Sequence, residues 1–157
     1  MKVFFSWFMV LIGVIGATIA KDSFFGGIKF FSNVTNLEDL RAEIKTTGKP
    51  GVVFVTQPGC HVCTHLLRDI NKDENLKDTL NTKFVTVHNT DNPAESTWQH
   101  HGEEEDYVPR VYFVDTNGKY VTIAPANPET KHFFGSAAEV ANALRVTLEQ
   151  VTAGEDL

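Results

Sequence analysis

Val52-Val53-Phe54-Val55-Thr56-Gln57-Pro58-Gly59-Cys60-His61-Val62-Cys63 is the stretch that decides the fold of this chain. Val52 to Val55 is a short, continuously apolar, β-rich run, the mark of a strand buried on both faces. Gln57, Pro58 and Gly59 read as a turn. Cys60 then stands where a helix begins, with Leu66, Leu67 and Ile70 as the inward face of that helix. The amino end of a helix turns unpaired N–H groups and the positive end of the macrodipole toward its first residues. A thiolate is favoured there, so Cys60 is expected to titrate below a free cysteine, and a protonated His61 adds a second favourable charge. Cys63, one turn further in, is expected to be more buried and less acidic. That asymmetry makes Cys60 the candidate nucleophile toward a substrate disulfide and Cys63 the candidate resolving thiol.

These are the only two cysteines among 157 residues. A domain that leans on disulfides for stability carries several, far apart in sequence. A bond between Cys60 and Cys63 closes a very short loop and removes little entropy from the unfolded chain. Zinc is the other use of this spacing, with His61 or His65 as further donors. There is no second pair to complete a tetrahedral site, so no metal is expected. The pair reads as chemistry.

Upstream, Met1 and Lys2 are followed by an almost wholly apolar run from Val3 to Ala17, then by small residues up to Ala20 and the charges Lys21 and Asp22. Charged, apolar and small segments in that order read as a secretory signal over residues 1–20, cleaved after Ala20; an uncleaved anchor is the competing reading. The expected location is the endoplasmic-reticulum lumen, with secretion as the alternative. The last four residues, Gly154-Glu155-Asp156-Leu157, come close to a retrieval tetrapeptide without matching it.

Between these ends the chain reads as one domain. The formal charge of −6, with 42% hydrophobic and 22% charged residues, is that of an ordinary globular protein, and no basic stripe exists to neutralise phosphates. Nucleic acid is therefore not an expected partner. Ile28 to Phe31 is a short strand or an extended approach. Thr35 with Glu38 forms a capping-box pattern for a helix carrying Leu37, Leu40 and Ile44, which Gly48 and Pro50 end. A second helical stretch follows the cysteine helix at Glu74 to Leu80, then a strand from Lys83 to His88 and a short helix from Pro93 to His101. Arg110 to Asp115 and Lys119 to Ile123 flank Asn117-Gly118, the strongest short hairpin signal. Ser136 caps a last helix through Val151. Strands alternating with helices, then an antiparallel pair, predict an α/β fold with a mixed central sheet flanked by helices.

Three smaller features carry two readings each. Asn33-Val34-Thr35 is a glycosylation sequon, or Thr35 serves only the helix start. His100, His101 and Glu103 to Asp106 are a cation- or partner-binding loop, or a solvated acidic surface. Trp98 is a core residue rather than a ligand platform. Proline is normally excluded from a strand unless it opens it or sits in cis, and Val108-Pro109 directly precedes Arg110.

With these residues in view, the sequence resembles the thioredoxin superfamily, and specifically the small endoplasmic-reticulum thioredoxin-domain proteins of the anterior-gradient family. The likeness runs from Phe24 to Val151 and places a thioredoxin-like domain at 24–152, with a tail at 153–157. It is carried by Asn36-Leu37-Glu38-Asp39, by Cys60 and Cys63, and above all by Tyr107-Val108-Pro109-Arg110-Val111-Tyr112-Phe113-Val114-Asp115. The resemblance implies a thioredoxin-like fold, a cis Pro109 facing the cysteines, and a backbone at Val108 that pairs with a bound substrate strand. It implies glutathione as redox co-substrate, no bound cofactor, and disulfide-bearing secretory proteins as clients. The departures are specific. Gly59 stands where relatives usually have tryptophan. His61 follows the first cysteine rather than preceding the second. Phe54 stands where many thioredoxins bury an acid. The expected activity is protein-disulfide reduction or isomerisation; the alternative is a non-catalytic client-binding or chaperone-like module.

Overall fold

The middle strand of the sheet is β1 (Gly51–Val55), and every one of its residues is buried. β2 (Val85–Asn89) runs parallel to it on one side and β3 (Arg110–Val114) antiparallel on the other, giving the order β2-β1-β3. Gly51 lies opposite Val85 and Val114, and Val55 opposite Asn89 and Arg110. The computed structural model describes residues 26–90, 98, 106–124 and 127–155. The segment 1–20, the expected helix at 93–101 apart from Trp98, the acidic run 103–105 and the final residues 156–157 lie outside the described residues.

Side chains alternate across a strand, so the sheet has two faces with separate cores. Val52 and Phe54 of β1 and Val111 and Phe113 of β3 pack with α2 (His61–Lys72), α3 (Glu74–Lys83) and α4 (Ala137–Glu155), through Leu66, Leu67, Ile70, Leu80, Val140 and Leu144. Val53, Val55, Val85, Val87, Tyr112 and Val114 face the other way and pack with Leu40 and Ile44 of α1 (Leu37–Thr47) and with Trp98. Trp98 is fully buried, the core role expected of it. The mixed sheet flanked by helices is the architecture read from the sequence.

Local chemistry moves several boundaries. The cap of α1 is Asn36, not Thr35: its Oδ1 accepts from the backbone N–H groups of Glu38 and Asp39. The acid that reaches back is Asp39, not Glu38. The box is displaced by one residue because Asn36 is as good a cap as threonine and three residues before a carboxylate. Asp73 alone separates α2 from α3, ending the first and capping the second with its carboxylate. α3 continues through Lys83, and β2 begins only at Val85. Ile28 to Phe31 takes the extended form rather than a strand, tied to β2 by the Phe31 N–H donating to the Thr86 carbonyl at 2.9 Å. The Asn117-Gly118 turn forms, but the returning strand is reduced to one bridge between Val114 and Tyr120. Ser136 and Glu139 form the expected start of α4, each side chain accepting from the other's backbone N–H. α4 extends to Glu155, beyond the 152 boundary read from the sequence.

Candidate functional site

Cys60 is the N-cap of α2, positioned by the turn that leaves β1. Its N–H donates to the Gln57 carbonyl at 3.1 Å, closing that turn. Gly59 holds φ at +81°, a left-handed conformation that side chains strain to adopt. A Cβ there would meet nothing within 4 Å, so the backbone rather than space selects glycine at this position. The Cys60 carbonyl accepts from the Thr64 N–H and hydroxyl, which locks the first turn of the helix.

Cys60 and Cys63 form a disulfide across a Cα–Cα distance of 5.3 Å. Cys60 Sγ also accepts from the Cys63 N–H at 3.1 Å, so the sulfur sits on the unpaired donors of the helix start. Cys63 is buried at 3% exposure, while Cys60 is half-buried. His61 and Val62 between them are exposed, Val62 at 45%. His65 is exposed one turn beyond His61. Among the described residues, no three or more histidine, cysteine or acidic side chains are grouped to hold a metal ion.

The Val108–Pro109 bond is cis. Pro109 is buried and Val108 half-buried against the α1-side core. Arg110, the next residue, pairs with Val55, so Pro109 lies at the same end of the sheet as the cysteine turn. Tyr107 anchors this corner, its hydroxyl accepting from the His132 N–H at 3.1 Å. Arg110 itself is fully buried. Arginine is rarely buried, and nothing in the sequence marked it.

A cavity of about 260 Å³ opens beside the disulfide, lined by Cys60, Cys63, Thr56, Gln57, His88 and Thr90 among others. Pro109 is not part of its lining; the cavity opens on the β2 side. His88 is the residue the sequence reading passed over, as merely the end of a strand. It is half-buried, its Nε2 lies 2.8 Å from Thr56 Oγ1, and its ring packs on Phe30 at 5.3 Å between centroids. Phe54, expected where relatives bury an acid, is at 1% exposure inside the apolar core. No aspartate or glutamate is buried among the described residues. A larger groove of about 410 Å³ lies between α3 and α4, far along the chain from the cysteines and lined by Leu76, Leu144 and Leu148. It holds none of the redox groups.

Asn33 lies exposed in the turn before α1, while Thr35 is engaged by Asp39 through both N–H and hydroxyl.

A cysteine pair at a helix start, with a cis-proline at the same end of a mixed sheet, is the site type of thiol–disulfide oxidoreductases. The family described as Thioredoxin-like domain matches residues 37–133, which include the whole sheet, both cysteines and the cis-proline. The chain belongs to that thioredoxin-like family.

Proposed function

We propose that this chain is a protein-disulfide reductase or isomerase of the secretory pathway, coupled to glutathione. The observation that carries the reading is the unequal burial of the two sulfurs at the start of α2: Cys60 half-buried as N-cap, Cys63 buried. In the reduced protein the helix N-terminus favours a thiolate on Cys60. That thiolate attacks a client disulfide and forms a mixed disulfide. Cys63 then attacks Cys60 and releases the client as a thiol. The exposed Val62 gives the client an apolar contact between the two cysteines. The backbone at Val108 offers an edge for a client strand to pair with. His61 stands exposed in the first position of α2, next to Cys60.

The apolar run before Ala20 supports passage into the endoplasmic-reticulum lumen, with the Gly154–Leu157 tail giving weak retention or release by secretion. The finer likeness to the anterior-gradient proteins rests on Tyr107 to Asp115 and supports the same compartment and clients. A client-binding module without catalysis is the second reading, and Phe54 in place of a buried acid favours it.

Glutathione-driven reduction of a protein disulfide separates the two. The purified chain is expected to turn over, and Cys60→Ser to abolish turnover. Serine keeps an acceptor at the N-cap, so the loss reports chemistry rather than a frayed helix. Unchanged turnover in Cys60→Ser would overturn the redox reading. Client binding that survives loss of both cysteines would support the second.

A further inference from the structure

We propose that His88, hydrogen-bonded to Thr56 in the wall of the cavity beside the disulfide, is the proton acceptor for Cys63 when the mixed disulfide is resolved. The proposal rests on the redox reading above and adds the route of the proton.

Resolution needs a base because Cys63 is buried and lies one turn inside the helix, where its thiol is not held as a thiolate. No carboxylate is buried among the described residues to take the proton. What the cavity does contain is an imidazole and a hydroxyl. Thr56 and His88 line it together with Cys60 and Cys63, and their side chains meet at 2.8 Å. Threonine can accept one proton while donating another, so a hydroxyl in contact with a ring nitrogen passes a proton without moving. At about 260 Å³ the cavity also has room for bridging water. Packing on Phe30 fixes the ring that receives it.

His88 carries the imidazole of the cavity wall. Among the described residues, the others that line the cavity, Gln57, Pro58, Gly59, Thr64, Leu67 and Thr90, carry no charge. The helices packed on β2 turn Leu40 and Ile44, and Leu76 and Leu80, inward. Phe30 comes from the approach segment, and the cysteines themselves from α2. His61 and His65 on α2 are exposed and outside the cavity lining.

The step balances as follows. The Cys63 thiol gives its proton through the Thr56 hydroxyl or a cavity water to the His88 ring. The Cys63 thiolate attacks Cys60 Sγ, forming the Cys60–Cys63 bond and breaking the bond from Cys60 to the client sulfur. The client sulfur leaves with the electron pair and takes the proton back from the imidazolium. The client is reduced, and the cysteine pair is oxidised.

Oxidised glutathione serves as the probe, mixed rapidly with the reduced chain and quenched in acid for mass spectrometry across pH 5 to 9. Glutathione addition to Cys60 depends on its concentration; release of the second glutathione, driven by Cys63, does not. The expected wild-type release rate carries two inflections, the lower from the His88 ring and the upper from the thiol. His88→Gln, which keeps a hydrogen bond to Thr56, is expected to erase the lower inflection and slow release about 10²-fold at pH 7. Addition to Cys60 is expected to change by less than about twofold, since it needs no base at Cys63. Thr56→Ser, which keeps the hydroxyl, is expected to retain the wild-type profile. A wild-type release profile with the thiol inflection alone overturns the proposal and requires no variant to fold. So does a His88→Gln protein slowed equally in both phases, which marks a structural role. A wild-type chain that forms no glutathione adduct at all removes the redox reading itself, a different outcome from either.

Discussion

Asp39 gathers three donors on one carboxylate oxygen: the Thr35 N–H at 3.0 Å, the Thr35 hydroxyl at 2.8 Å and the Asn36 side-chain amide at 2.9 Å. The Thr35 backbone N–H foremost, then its hydroxyl, hold the Asp39 carboxyl below its ordinary 3.8. A carboxyl depressed in the folded state stabilises the fold above its unfolded value and loses that contribution as pH falls through the lower, folded one. Asp39→Asn is therefore expected to unfold at lower denaturant than wild type at pH 7. The two should converge as pH drops below 3.8 toward the folded value. Denaturation midpoints across that range check it, and a gap independent of pH would assign the loss to shape rather than charge. At this scale the sequence was legible in type but not in position. Thr35, Asn36, Glu38 and Asp39 offer two overlapping boxes, and only the backbone geometry chooses between them. His88 was not legible at all, because its partner Thr56 is 32 residues away and reaches it only through the parallel pairing of β1 with β2.

At the scale of elements, α1 owes its seat on the sheet to a missing side chain. A Cβ on Gly51 would stand 2.9 and 3.0 Å from the two Leu40 methyls and 3.2 Å from that of Ile44. Both neighbours are fully buried, so neither can swing aside into solvent. Gly51→Ala is expected to cost about 1–3 kcal/mol, the usual range for overpacking a filled core, read as a lower thermal midpoint with cysteine chemistry intact. A neutral result would mean that α1 shifts freely on the strand. The helices and β1 were legible because their periodicity is strong over ten residues or more, or because the run is wholly apolar. The second hairpin strand was overread: Lys119 to Ile123 has the alternation of a strand, but its backbone pairing with β3 ends at the Val121 N–H, which donates to the Phe113 carbonyl at 2.8 Å. The cis state of Pro109 followed from likeness to relatives, since spacing alone also allowed a proline that simply opens β3.

For the molecule as a whole, the two cores on opposite faces of the sheet leave the disulfide little to hold. One face buries the side chains of three helices, the other those of α1 and Trp98, and neither depends on the Cys60–Cys63 bond. That bond closes a loop far shorter than the ~15 residues for which chain entropy gives about 3 kcal/mol, so its entropic contribution stays below about 2 kcal/mol. Reduction returns part of that through the Cys60 thiolate at the start of α2, a helix-terminus interaction of about 0.3–1 kcal/mol. The two effects oppose each other. Unfolding in denaturant with and without dithiothreitol is therefore expected to differ by less than about 2 kcal/mol, below the 2–5 kcal/mol typical of removing a structural bridge. The linkage runs both ways: a bond that stabilises the fold only slightly is one the fold holds only slightly, and such a bond is easily exchanged with other thiols. A loss above about 4 kcal/mol on reduction would place the pair among structural bridges. Thiol–disulfide exchange at the pair would then be unfavourable.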